Sequence, residues 1–351
     1  MNSYLVLCYN RKKEDNIIFS NMFSNVINID ITYNNRDFYN IKKCIDKKMN
    51  KNIKQVIFAG FEHNTELVIE YIKKKYINTK IKVICNTSES LLYFEYERKN
   101  FFKLLKLSKE KVVDVIAFTK KNMFILYNSL GYKSCYIRQN YILSDKKKEG
   151  FNLKKEVNFN DKTNLQYENN KVDINSIKIG ILPFDYLWNK NIYNQLSVGK
   201  FFENSIINTY ILNKRMKEFL EAFKIKYNNL YKDKKSLDIN NFKNHLINSN
   251  INIESTFTEY VNTTFLLSME LGVICLIGNN NSIFEDIDFN LQALNKLKSY
   301  LIIKSEDNPI LISEKIKIAL ENKDEILKLY SDFKVQYNKL SDESIKKFLK
   351  K

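Results

Sequence analysis

Short apolar runs alternate with helix-length amphipathic stretches, twice over, and this alternation constrains the fold of the chain more than any other feature. The first series is YLVLC (4–8), VINIDI (26–31), QVIFAG (55–60), IKVIC (81–85), VDVIAFT (113–119) and SCYIR (134–138), with helical patterns at roughly 36–49, 63–76, 91–108 and 120–130. Strands separated by helices of that length form βαβ units, which build a parallel sheet covered on both faces. From 144 to 176 the pattern fails in a polar, charged stretch, and a second series then begins with IKIGIL (177–182) and continues through NTYIL, NNLYK, INIEST (251–256), VICLIG (273–278) and SYLIIK (299–304). The expectation is an α/β protein of two doubly wound parallel-sheet lobes. It comprises an N-terminal lobe over 1–143, a polar linker over 144–176, a C-terminal lobe over 177–338 and a last helix over 339–351 that packs back toward the first lobe. The end of the chain from about 309 reads as helix, with Ser-Asp-Glu-Ser at 341–344 as the start of its final segment. Ligands of paired doubly wound lobes bind in the cleft at the C-terminal ends of the strands.

Several classes are disfavoured. The opening MNSYLVLCYNRKKED has only a short apolar stretch and no small-residue cleavage site, so it reads as a strand rather than a secretory signal. The expected location is the cytoplasm, and the net charge of +17 adds weak attraction to the anionic inner face of the cell membrane. Five scattered cysteines without CxxC spacing, and two histidines, His63 and His245, indicate neither a disulfide framework nor a zinc site. The charge comes almost wholly from lysines spread along the chain, with five arginines, which disfavours nucleic acid as a partner. No GxGxxG follows the first strand, which disfavours a nicotinamide cofactor.

The segment from Asn252 to Phe284 carries the chemistry. Glu259, Asn262, Thr263 and Thr264 cluster where a strand hands over to a helix. Backbone amides at a helix start, flanked by small hydroxyl side chains, make an anion site suited to a diphosphate. The same segment resembles the donor-binding signature of family 4 retaining glycosyltransferases, approximately Glu-x7-Glu-Ala-Met-x-x-Gly-Val-Pro. Glu259 falls on its first glutamate, and Ser268, Met269, Gly272 and Val273 fall in register behind it. The chain departs from the pattern at the second glutamate, here Leu267, and at the proline, here Ile274, with Glu270 one turn beyond Leu267.

The resemblance implies a GT-B fold and metal-independent transfer of a sugar, with retention, from a nucleotide-sugar donor to a hydroxyl of a glycan, glycolipid or protein. No cofactor or metal is implied, which agrees with the absence of an Asp-x-Asp motif from a suitable loop. Glu259 would contact the donor sugar. IKIGILPFDYLWNKNIYNQLSV (177–198) is similar to the first strand, loop and helix of the family's C-terminal lobe, which puts Lys190, framed by Trp188 and Asn191, on the donor diphosphate. Lys190 and Glu259 are thus the implied catalytic pair, and Asn191, Asn262, Thr263, Thr264, Leu267 and Glu270 complete the donor side. On the acceptor side lie Gly60 and His63 after one strand and Asn86 and Thr87 after the next, where relatives often present a His-Gly pair. The departures at Leu267 and Asn86 also fit a second reading, a catalytically degenerate GT-B subunit that binds a glycan, protein or partner transferase.

Overall fold

The computed structural model describes residues 4–9, 23, 26–29, 35–138, 176–183, 187–231, 239–257, 263–287 and 289–351. In the first lobe, strands β1 (Tyr4–Tyr9), β2 (Val26–Ile29), β3 (Gln55–Ala59), β4 (Lys80–Cys85), β5 (Val115–Phe118) and β6 (Ser134–Tyr136) form one parallel sheet in the order β2-β1-β3-β4-β5-β6. Between them run helices α1 (Asn35–Lys48), α2 (Thr65–Lys75), α3 (Glu95–Lys109) and α4 (Lys121–Ser129). The second lobe has β7 (Lys178–Ile181), β8 (Ile206–Thr209), β9 (Tyr227–Asn229), β10 (Ile251–Glu254), β11 (Ile274–Gly278) and β12 (Ile302–Ile303), all parallel, in the order β12-β11-β10-β7-β8-β9. Its helices are α5 (Ile192–Ser197), α6 (Lys214–Ala222), α7 (Ile239–Ile247), α8 (Thr263–Glu270), α9 (Leu291–Leu301), α10 (Pro309–Glu321) and α11 (Lys323–Lys350). Strand order in this lobe reverses between β7 and β10, and sheets of this kind bind ligands at the C-terminal ends of the strands that flank such a reversal.

The strands are near-continuous apolar runs because both sheet faces are covered. In the first sheet, Leu5, Leu7, Val56, Phe58, Val83 and Ile116 belong to one core cluster with α2 and α3 residues such as Ile69 and Leu104. The alternate residues Val6, Cys8, Ile57, Ile84, Val115 and Ala117 face the other way, into a cluster continuous with the second lobe. Helix α11 makes that continuity. Ile326, Tyr330 and Phe333 pack with Phe265 and Phe284 of the second lobe, whereas Ile345 and Phe348 reach the first sheet. At about 1.5 Å per residue, its 28 residues are long enough to span both lobes.

Two sequence expectations are corrected. Ser341–Ser344 does not begin a helix, because α11 runs unbroken through it. Those hydroxyls are used between lobes instead: Ser341 Oγ donates to the Arg138 carbonyl at 2.8 Å and Ser344 Oγ accepts from the Arg138 amide at 3.0 Å. Within SYLIIK, only Ile302–Ile303 is strand; Leu294, Leu297 and Leu301 bury one face of α9 at helical spacing and carry the helix to Leu301. Among the described residues no helix is long and apolar enough to cross a membrane.

The end of α11 is held by a lysine inside the first sheet. Lys82, on β4, is 0% exposed, and its ammonium donates to the carbonyls of Phe348 at 2.7 Å and Leu349 at 3.1 Å. These are last-turn carbonyls without intrahelical donors, so the cation both caps the helix and meets the negative end of its dipole. Burial pushes the Lys82 ammonium down to about 8. Gln55 Nε2 adds a bond to the Leu349 carbonyl at 3.1 Å. Lys82→Ala should destabilise the protein by about 1–3 kcal/mol, the cost of leaving the buried Phe348 carbonyl unpaired. Thermal unfolding measures the loss, and hydrogen exchange should show faster exchange over 345–351; unchanged protection there would remove the clamp.

Candidate functional site in the cleft

The turn that leaves β7 sits at the crevice. Trp188–Lys190 is one turn of 3-10 helix, Asn191 is left-handed at φ 52°, and the short α5 follows. Asn tolerates the left-handed region better than most residues, and the reversal turns Lys190 inward. Lys190 is 7% exposed.

The turn is tied down on several sides. Gln195 Nε2 donates to the carbonyls of Lys190 at 2.7 Å, Asn191 at 3.3 Å and Ser255 at 3.1 Å, and its Oε1 accepts from the Ser255 amide at 3.2 Å. The Phe257 amide donates to the Asn189 carbonyl at 2.9 Å, and Asn191 Nδ2 donates to the Glu306 carbonyl. Asn189 Nδ2 crosses to the first lobe, reaching Ser90 Oγ at 3.3 Å. Farther along the interface, Lys121 pairs with Glu285 at 3.0 Å and Asp286 at 2.7 Å. Lys190 therefore sits on backbone that is fixed before any ligand arrives.

Beside it stands a carboxyl group that the sequence reading did not single out. Glu254 closes β10, and its Oε2 accepts from the Phe265 amide in the first turn of α8 at 3.1 Å. Burial pushes it up to about 7. Pulling the other way are the charge of Lys190, the Phe265 amide, a hydrogen bond with Thr264 and the charge of Lys120. Lys120, 3% exposed, follows β5, so cations from both lobes act on one carboxyl. A signal existed in the sequence: INIE is an apolar strand that ends in an acid, and the next helix opens on two threonines.

The donor-side candidates separate. Glu259 and Asn262 lie outside the described residues; Thr263 opens α8, and its side chain lies outside them too. Thr264 is 4% exposed and reaches Glu254. Leu267 lies in the core, 3% exposed. Glu270 faces α11, where Lys334 pairs with it.

On the first lobe, Gly60 (φ 106°), Asn86 and Thr87 line a concavity that is open to solvent, together with Glu62, Glu97 and Phe101. Both polar atoms of the Asn86 amide are buried there without a protein partner. His63 is exposed on the turn before α2 and does not line this concavity.

Two successive Rossmann-like lobes, each a six-stranded parallel sheet, make this a GT-B fold, the architecture of nucleotide-sugar glycosyltransferases. The structure is similar to that of Anabaena HepE in complex with UDP and glucose, with a TM-score of 0.61 and 8% identity over 99% of this chain and 98% of that one. It is also similar to a glycosyltransferase from Rickettsia africae, with a TM-score of 0.54 and 13% identity over 100% and 98% of the two chains. A UDP-forming trehalose-phosphate synthase from Burkholderia xenovorans aligns with a TM-score of 0.56 and 8% identity, over 100% and 98%. No protein-family model and no curated protein matches the sequence.

The raised carboxyl of Glu254 has a consequence for stability. The folded chain keeps this proton up to about pH 7, whereas the unfolded chain releases it near the ordinary value of 4.5. Between those values the folded state binds more protons, so its stability falls as pH rises through the window. Glu254→Gln keeps an acceptor for the Phe265 amide and removes the charge. Its melting temperature should match the parent's at about pH 5 and exceed it at about pH 8; an equal difference at both pH values would contradict the assignment.

Proposed function

We propose that the chain is a glycosyltransferase that moves a sugar from a nucleotide-sugar donor to a hydroxyl of a glycan, glycolipid or protein, with retention and without a metal ion. The observation that carries this reading is the buried, pre-positioned Lys190 at the switch point of the second sheet, beside the amide-presenting start of α8. A diphosphate leaving group gains negative charge as the glycosidic bond breaks. A fixed ammonium and fixed amides stabilise that developing charge more than they stabilise the bound donor, and this difference is what accelerates the step.

In this reading Lys190 and the amides at Thr263 and Thr264 hold the diphosphate, with Asn191 shaping the turn. The family resemblance gives Glu259 the donor sugar. The acceptor enters over Gly60, Asn86 and Thr87, where the unpartnered amide of Asn86 can orient a hydroxyl. An amide cannot take the hydroxyl proton, so a front-side displacement is the fitting route: the departing phosphate oxygen accepts that proton as the new glycosidic bond forms on the same face. The fold shared with HepE, whose structure contains UDP and glucose, supports the donor class. The net charge of +17 supports peripheral contact with an anionic membrane that presents a glycolipid acceptor.

The second reading, a GT-B subunit that binds without transferring, is favoured by Leu267. An apolar core side chain stands where the family carries an acid for the ribose. Thermal unfolding separates the two readings: a nucleotide sugar at about 100 times its dissociation constant adds roughly 2.7 kcal/mol, and no shift across a nucleotide-sugar panel would favour the scaffold. With an active donor in hand, Lys190→Ala should lower kcat at least about tenfold with the fold intact, and unchanged turnover would take Lys190 out of the mechanism.

A further inference from the structure

The groups placed to bind a diphosphate already act on a carboxyl group of the chain itself. Glu254 accepts from the Phe265 amide, in the first turn of α8, at 3.1 Å. Thr264 bonds the same carboxyl, and the charges of Lys190 and Lys120 pull on it from either lobe. The Cys275 thiol on β11 is also coupled to it, and burial pushes that thiol well above its ordinary range and so keeps it neutral. The set is therefore a carboxyl, two ammonium groups and a helix start, drawn from both lobes.

A diphosphate diester brings two negative charges to this set. Beside an ionised Glu254, in a region of reduced dielectric, those charges repel the carboxylate and compete with it for the same amide, hydroxyl and ammonium. A protonated Glu254 reverses the situation. Its carbonyl oxygen still accepts from Phe265, and its hydroxyl becomes a donor that can face a phosphate oxygen.

We propose that Glu254 is an internal competitor for the donor diphosphate, and that binding a nucleotide sugar is coupled to uptake of one proton by this carboxyl. The inference rests on the donor-site reading above and specifies how that site is regulated. In each binding event one solvent proton adds to a Glu254 carboxylate oxygen, and no other bond changes. Donor affinity is consequently higher on the acid side of neutrality, and release of the donor returns the proton.

The experiment is isothermal titration of the full chain with UDP-glucose, with GDP-mannose and ADP-glucose as further probes, at about pH 6 and pH 8 in two buffers of different ionisation enthalpy. The diphosphate diesters of these probes do not titrate in that range, so any proton exchanged belongs to the protein. The parent should take up close to one proton per ligand at about pH 8 and bind about tenfold more weakly there than at about pH 6. Glu254→Gln should show neither the uptake nor the pH dependence.

The parent measurement stands even if that variant folds poorly. Binding by the parent with no proton exchange and equal affinity at both pH values would overturn this inference and leave the donor reading intact. Uptake that persists in Glu254→Gln would assign the proton to another group and would also overturn it. Failure of all three probes to bind at either pH would overturn the donor reading, and this inference with it.

Discussion

The two lobes are tied together by one helix. Helix α11 contributes Tyr330 and Phe333 to the core of the second lobe and Phe348 to the open face of the first sheet, making one apolar cluster out of two lobes. Polar anchors fix where it lands. The Arg138 backbone meets Ser341 and Ser344, and the Lys82 ammonium holds the last carbonyls. With both lobes seated on one helix, Lys120 of the first and Lys190 of the second act on one carboxyl within the shared gap between strand ends.

Within that gap the electrostatic arrangement is more specific than a patch of positive charge. A basic surface attracts any anion, and lysines on the outside of this chain do so through a screened field. Lys190 differs because its turn is locked by Gln195, Asn191 and Phe257, so the cost of ordering it is met in folding rather than at binding. An ionised Glu254 draws on the same ammonium when no anionic ligand is present, although its own burial outweighs that attraction.

Most of the architecture is legible in the sequence, because parallel strands covered on both faces must be continuously apolar. QVIFA, KIKVIC, VIAF and ICLIG each stand out against their helical surroundings. The register of Ser268, Met269, Gly272 and Val273 with the family pattern has a packing explanation. Ser268 Oγ accepts from Asn252 at 3.0 Å, Met269 is buried, and Gly272 ends α8 at φ 73°, a conformation that favours glycine. Such residues report the fold more directly than the chemistry.

What the sequence conceals is long-range. Lys82 looks like an interruption in IKVIC until its partners, more than 260 positions away, are known. Glu254 looks like the end of a strand until Lys190 and Lys120 are brought to it, and Ser341 resembles a helix start because local pattern cannot show that its hydroxyl bonds Arg138 in the other lobe. Glu270 and Leu267 occupy neighbouring positions of the donor pattern, yet one pairs with α11 and the other fills the core.

The most direct test of the account is a crystal structure of the chain with a bound nucleotide sugar. The account requires the diphosphate in the cleft, with phosphate oxygens about 3 Å from the Lys190 ammonium and from an amide in the first turn of α8. A nucleotide sugar held at some other place on the molecule, or in the cleft with its phosphates turned away from both groups, would contradict it.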